Sequence, residues 1–341
     1  GIQMRTWNQP FMTEMERWTR LLGDYLRPLF APAGGPIILA QLENEYNNIA
    51  RIYGDDGRKY LQWCSQLGRS LNLGVPIVMC AGAAEGAIET INASYGHETI
   101  EAHFQRHPDQ PALWTEFYPG WYDTFGYPHH TRSAEDVAYA LARFFAAGGT
   151  GMNYYMWHGG TNFGRESMFL QTASYDFDAP LDEFGCDTMK YHHLAKLHRI
   201  LAGFAPALLS DARPAPAFQK GRQSTWSYSG AGRTLAFLCN DSKDEKAPVP
   251  FEGTSYEVPP ASVTLVGDGK ALMNTLRIEP SARIARAMRP LNRALSGVTG
   301  WSEPMPAVWP KDLRAGIGIK EPQEQLQFTK DGTDYCWYSA V

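Results

Sequence analysis

Two apolar runs in this sequence end in carboxylates. The stretch GGPIILAQLENEY, 34–46, passes from an apolar body into Gln41, Glu43, Asn44 and Glu45, and PALWTEF, 111–117, carries Glu116 near its end. Along a strand alternate residues share a face, so Gln41, Glu43 and Glu45 point together and Leu42 and Asn44 the other way, until the strand ends. Spacing does not choose between Glu43 and Glu45. Glu45 and Glu116 are 71 positions apart, and two further strand-like runs lie between them. In parallel α/β sheets ligands bind outside the carboxyl ends of the strands, so both groups would sit on one rim. Two facing carboxylates in unequal surroundings suit glycoside hydrolysis: one is protonated to release the leaving oxygen, the other ionised to attack or stabilise the anomeric carbon. Trp114, Tyr118, Trp121, Tyr155 and Trp157 lie near the same rim and offer flat faces to a pyranose. The plainer alternative is that the glutamates pair with loop arginines and the aromatics fill the top of the fold.

The elements that must position these groups alternate in type. A helix is expected over 11–28, with Met15, Trp18, Leu21, Leu22 and Tyr25 on one side, then a strand over 37–42 and a helix over 56–71 with Gly74 just past its end. Strands follow at 75–80, 88–95, 111–117 and 151–157; a helical stretch lies near 97–106, and Ser133 to Asp136 opens another that Gly148 stops. Five strands separated by helices are the mark of βα units around a parallel sheet. From about residue 205 the style changes. SDARPAPAF, 210–218, reads as a linker, and short alternating runs up to about 268 read as antiparallel hairpins. The expected organisation is a βα portion over 1–205, a small all-β domain over 206–268, and over 269–341 a linker leading into a further β domain that begins with YCWYSAV.

Composition narrows the function classes. The chain has 341 residues and a formal net charge of -5, with no basic stripe, which argues against a nucleic-acid partner. No run approaches the roughly 18 apolar residues of a membrane span. The opening GIQMRTWNQP lacks the regions of a signal peptide and has no initiator Met, so the chain reads as a processed or excised piece. Cys64, Cys80, Cys186, Cys239 and Cys336 form no CxxC pair and no zinc spacing. HETIEAH, 97–103, is close to HExxH, but its second His comes six residues after the first, so one helical face cannot present both to zinc. The pairs His129-His130 and His192-His193 are expected at the surface. GGTNFG, 159–164, lacks the Lys-Ser/Thr of a phosphate loop and suits a tight turn that aims Asn162 inward. Asn92-Ala-Ser94 and Asn240-Asp-Ser242 have the form of glycosylation sequons. No metal and no cofactor is expected.

Four motifs carry a resemblance. GGPIILAQLENEY resembles the signature of the glycoside hydrolase family 35 β-galactosidases, and WTEFYPGW, NYYMWHGGTNFG and SYDFDAPLDEFG are similar to three further family motifs in the same order and spacing. LAFLCND and TKDGTDYCWYSAV are similar to later segments of the long plant-type enzymes and their bacterial relatives, so the resemblance covers essentially the whole chain.

The resemblance implies a TIM (β/α)8 barrel, retention of anomeric configuration and hydrolysis of terminal non-reducing β-D-galactose from oligo- or polysaccharides. It also implies a secreted or periplasmic setting. By position Glu45 matches the acid/base and Glu116 the nucleophile, at a carboxyl separation of about 5 to 5.5 Å. Asn44 matches an amide that binds the sugar, Tyr118, Tyr155 and Tyr175 match tyrosines lining the galactose pocket, and Glu43 is left as a structural partner. Phe177 departs from the family, which often has tyrosine there. The five strands match strands four to eight of the barrel, so the chain reads as an internal fragment, a partial barrel followed by a small antiparallel β domain. Its uncovered strand edges are expected to favour association. Two other functions fit the same residues: a galactose-binding fragment without catalysis, and a glycosidase for another β-linked sugar.

Overall fold

Asn8 opens the first helix, α1 (Gln9–Leu26), by accepting a hydrogen bond from the backbone N–H of Phe11, while Pro10 occupies a first-turn position that needs no donor. The structure, a computed structural model, describes residues 1–164, 167–168, 170–210, 213, 215–278, 318–321 and 323–329. Met12 of α1 is buried, but the stripe of Trp18, Leu21, Leu22 and Tyr25 is exposed.

Five parallel strands follow, hydrogen-bonded in chain order: β1 (Ala40–Asn44), β2 (Ile77–Cys80), β3 (Ile88–Ala93), β4 (Leu113–Phe117) and β5 (Gly151–Tyr154). The first strand starts later than the apolar run, because Ile37 is diverted into an isolated bridge with Phe30 and regular pairing begins at Ala40. The helices between strands are α2 (Ala50–Ser70), kinked at Gly54, α3 (Ile100–Arg106) and α4 (Ala134–Ala146). One expected separation fails: β2 and β3 are joined by 81–87 without a helix, the chain reversing through left-handed Ala81 and Gly86. β1 and β5 each pair on one side only among the described residues.

Ser133 caps α4 by accepting from the N–H of Asp136, and Gly148, at φ 105, follows its end. The helix buries Val137, Ala138, Ala140, Leu141, Ala142 and Phe144, which together cover a little more than half of its circumference. So broad an apolar face needs cover from two sides. After β5 come a short ribbon of β6 (Gly160–Thr161) and β7 (Ser174–Tyr175), then α5 (Met189–Gly203) and α6 (Ala205–Leu208).

The rest is antiparallel: β8 (Phe218–Lys220), β9 (Gln223–Gly230), β10 (Arg233–Asn240), β11 (Ala247–Phe251), β12 (Thr254–Val258), β13 (Ser262–Gly267) and β14 (Lys270–Asn274). Five of these form one sheet in the order β14-β13-β10-β9-β8, and β11 pairs with β12. The sheet therefore runs past 268, where the all-β portion was expected to end. Its inner face supplies the second cover for α4: Leu235, Phe237, Val263 and Leu265 join Leu141, Phe144, Leu194 and Leu197 in a single core. Arg143 of α4 reaches Asp241 at 2.9 Å, and Tyr228 donates to the carbonyl of Phe145 at 2.9 Å. Truncating Phe144 to Ala in this core would cost about 3–5 kcal/mol.

His193 is buried rather than at the surface, its Nε2 2.8 Å from the carbonyl oxygen of Thr275. Asn240, in the second sequon, is fully buried on β10. A short helix, α7 (Gln325–Thr329), is described near the C-terminus, whereas YCWYSAV and Cys336 lie outside the described residues. No described helix is long and apolar enough to cross a membrane.

Candidate active site

The ambiguity between Glu43 and Glu45 is resolved where β1 ends. Pairing with β2 slips between Gln41 and Asn44, and Glu43 and Glu45 both take left-handed backbone, at φ 67 and 52. Such a slip re-aims side chains, so alternate residues no longer share a face. Glu43 turns toward Arg5, which meets its Oε2 at 2.6 Å, and accepts from the Tyr60 hydroxyl at 2.6 Å. The Glu43 hydrogen bond raises the Arg5 guanidinium above its ordinary value. Burial pushes the Tyr46 phenol, beside this pair, up to about 12. Glu45 turns the other way, fixed by its own N–H, which donates to the Cys80 carbonyl at 2.8 Å.

A similar slip shapes β4. Trp114 and Phe117 are three residues apart yet lie on one face, stacked at 3.8 Å between ring centroids and fully buried. The register with β5 shifts between them, which leaves Thr115 and Glu116 both on the opposite side. Glu116 pairs in register with Asn92 of β3.

These strand ends bring Glu45 and Glu116 together. The side-chain nitrogen of Asn92 donates to Glu45 Oε1 at 2.8 Å and to Glu116 Oε2 at 3.1 Å. Those two oxygens are therefore no more than 5.9 Å apart, the sum of the two bonds. The Tyr118 hydroxyl lies 2.8 Å from Glu116 Oε2 and 3.4 Å from Glu45 Oε1, and it also meets the amide oxygen of Asn92. Burial, and then the hydrogen bond to Glu116, holds this phenol well above its ordinary value. On the far side of Glu116 the Cys80 thiol donates to Oε1 at 3.4 Å; burial first, and nearby Glu116 among the lesser causes, pushes that thiol up to about 11. Asn48 donates to Glu45 Oε2 at 3.3 Å.

Tyr155 and Tyr175 join through their hydroxyls, 3.1 Å apart, and the Tyr155 ring meets Tyr118 edge-on at 6.0 Å. Phe177 is buried between Tyr155, Trp121 and Tyr175. Gly120 permits this closure: a Cβ there would stand 2.0 Å from the carbonyl oxygen of Phe177. The buried ammonium of Lys190 ties the same two segments, donating to the carbonyls of Pro119 and Asp178. Asn44 is not part of the bridge. Its side-chain oxygen accepts from Gln41, and it opens with Arg5, Gln41, Glu43, Glu45 and Asn48 on a depression of about 560 Å³.

Of the aromatics expected to face a sugar, Trp121 and Tyr155 are 40% and 39% exposed. Trp114 is a core residue, and Trp157 packs on Tyr154, Tyr191 and His198. GGTNFG contributes Gly160 and Thr161 to the β6–β7 ribbon, and Asn162 donates to the side chain of Gln171 at 3.4 Å. Among the described residues no cluster of three or more His, Cys, Asp or Glu is placed to hold a metal ion.

Sequence reasoning read Asn92 only as a sequon asparagine. The available signal was its place at the carboxyl end of a strand between those carrying the two glutamates, the same signal that singled out Glu116.

Comparison with known proteins shows the family of the chain. The family model of glycosyl hydrolases family 35 matches residues 1–201. The chain is 36% identical to "Probable beta-galactosidase 2" of Dictyostelium discoideum and 38% identical to "Beta-galactosidase 10" of Arabidopsis thaliana, in each case over 99% of this chain and 46% of the relative. Against "Beta-galactosidase 6" of Oryza sativa subsp. japonica the identity is 36%, over 99% of this chain and 41% of the relative. The chain thus spans about half the length of the curated relatives it matches. The motifs, the paired carboxylates and a family match over more than half of the chain converge, and the chain belongs to glycosyl hydrolases family 35.

Proposed function

We propose that this chain carries the catalytic pair of a retaining β-galactosidase acting on β-galactoside glycans. The observation that carries the proposal is the donation of one amide nitrogen to both Glu45 and Glu116, which keeps their nearest oxygens within 5.9 Å. Retaining glycosidases hold their carboxyl groups about 5–5.5 Å apart, whereas inverting ones leave room for a water at about 6.5–9.5 Å. The names of the relatives, all β-galactosidases, support galactose as the sugar. In this reading the five parallel strands are strands four to eight of a (β/α)8 barrel, and the antiparallel strands form a β domain packed on its helices.

The surroundings divide the labour. Glu116 has two donors within 3.1 Å, Tyr118 and Asn92, with the Cys80 thiol farther off at 3.4 Å, which suits an oxygen that stays anionic until it attacks. Glu45 has one short donor, Asn92, and longer approaches from Tyr118 and Asn48. A Glu116 oxygen attacks the anomeric carbon while the proton of Glu45 passes to the departing glycosidic oxygen. Glu45, now ionised, takes a proton from water, whose oxygen displaces Glu116 and restores the starting state. Asn44 contacts the sugar, and Tyr118, Tyr155 and Tyr175 line its pocket with Phe177 as an apolar wall.

Turnover of a chromogenic β-galactoside by the native protein, compared with its Glu116→Gln form, tests the proposal. Turnover in the first and essentially none in the second are expected. Full turnover by Glu116→Gln, or none by the native protein on any β-galactoside, would overturn it.

A further inference from the structure

We infer that Asn92 is a positioning residue that couples the two carboxylates, setting their separation and passing the donation of Tyr118 from one to the other between the two chemical steps. The inference rests on the catalytic reading above and adds to it a residue outside the two acids and the sugar contacts.

The orientation of the amide follows from its neighbours. Its two N–H protons face carboxylate oxygens at 2.8 and 3.1 Å, and its oxygen faces the Tyr118 hydroxyl. The flipped amide would set a carbonyl oxygen against two carboxylates. Backbone pairing fixes the placement: Asn92 lies opposite Glu116, where the register between β3 and β4 shifts. Asn92 is thereby tied to the strand that carries Glu116, and its reach of one hydrogen bond holds Glu45 at a set distance.

Tyr118 has one hydroxyl proton and three acceptors: Glu116 Oε2, Glu45 Oε1 and the amide oxygen of Asn92. Before attack, anionic Glu116 is the strongest acceptor. Once Glu116 has become a neutral ester, the proton is better placed on the Asn92 oxygen, which lies nearer the hydroxyl than the Glu45 oxygen at 3.4 Å. Hydrogen bonds in a chain polarise one another, so donation into that carbonyl strengthens the donation of the amide to Glu45. This happens when Glu45 has given up its proton and must act as base. The amide carries no net charge and gains or loses no proton in either step.

Two variants of the native protein, with their folded state checked by thermal melting, test the inference. Asn92→Ala removes the bridge and is expected to lower kcat on the order of 10- to 100-fold while KM changes little, as for loss of hydrogen bonds to charged groups. Asn92→Asp keeps the shape but sets a third carboxylate between the other two. It is expected to move the acidic limb of the pH–rate profile upward by about one pH unit, because like charges disfavour ionisation. If Asn92→Ala does not fold, the isosteric variant carries the test. A folded Asn92→Ala with kcat within about twofold of native, or an unmoved acidic limb in Asn92→Asp, would overturn the inference and leave the catalytic reading intact. Absence of turnover in the unsubstituted protein would remove the reading and the inference together.

Discussion

The hydroxyl of Tyr118 lies 2.8 Å from Oε2 of Glu116, two residues before it in the chain. Strand alternation would place the two side chains on one face, but β4 ends at Phe117, so Tyr118 returns to Glu116 from the loop. Removing only this oxygen, as Tyr118→Phe, is expected to lower kcat on the order of 10- to 100-fold with the fold retained, because a hydrogen bond to a charged group is lost. Steady-state kinetics beside a melting curve checks this; an unchanged kcat would show that the contact plays no part in the reaction.

Glu43 and Glu45 separate structure from chemistry within three residues. Glu43 is held by Arg5 and Tyr60, away from the paired carboxylates. Glu43→Gln is therefore expected to destabilise the protein by about 1–3 kcal/mol, as Arg5 and Tyr60 lose a buried carboxylate partner. The folded fraction should still turn substrate over. Glu45→Gln should leave the urea midpoint close to native and abolish turnover of substrates with poor leaving groups. The reverse pattern would exchange their roles.

Burial holds His97 and His198 down to about 4, from an ordinary value of 6.5. The unfolded chain takes up these protons near pH 6.5 and the folded chain only near pH 4, so between the two the unfolded state binds more. The stability these residues contribute is complete above about pH 6.5 and is lost as pH falls toward about 4. A lower urea midpoint at about pH 5 than at about pH 7.5 is expected, with a smaller drop in His198→Gln. A midpoint independent of pH would show that these rings do not govern acid stability.

Much of this arrangement is legible in the sequence, because apolar periodicity marks the strands and helices and polar groups at strand ends mark the rim. Ser133 and Gly148 bound α4 as their residue types require. What period-two reasoning cannot see is a register slip. Trp114 reads as a rim aromatic because it lies two residues from Glu116, yet the slip before Phe117 turns it into the core. The same blindness leaves Glu43 and Glu45 equivalent to strand spacing: the family resemblance alone chose Glu45, and the left-handed backbone at both supplies the physical reason. The segment 81–87 held no helical pattern, but only the parallel pairing of β2 with β3 shows that a short loop suffices to join them. Asn92 was overlooked because its significance lies in two partners, 47 and 24 residues away, rather than in its own neighbours.

Trapping the covalent intermediate tests the role of Glu116 most directly. A 2-deoxy-2-fluoro-β-galactoside with a good leaving group slows breakdown of the glycosyl-enzyme more than its formation, because fluorine next to the anomeric carbon disfavours the cationic transition state while the leaving group compensates only in the first step. Mass spectrometry of the digested, inactivated protein should find one fluorogalactosyl group, on the peptide holding Glu116 and on that side chain. A label on Glu45 or any other residue, or turnover of β-galactosides by a protein that never accumulates the label, would contradict the assignment.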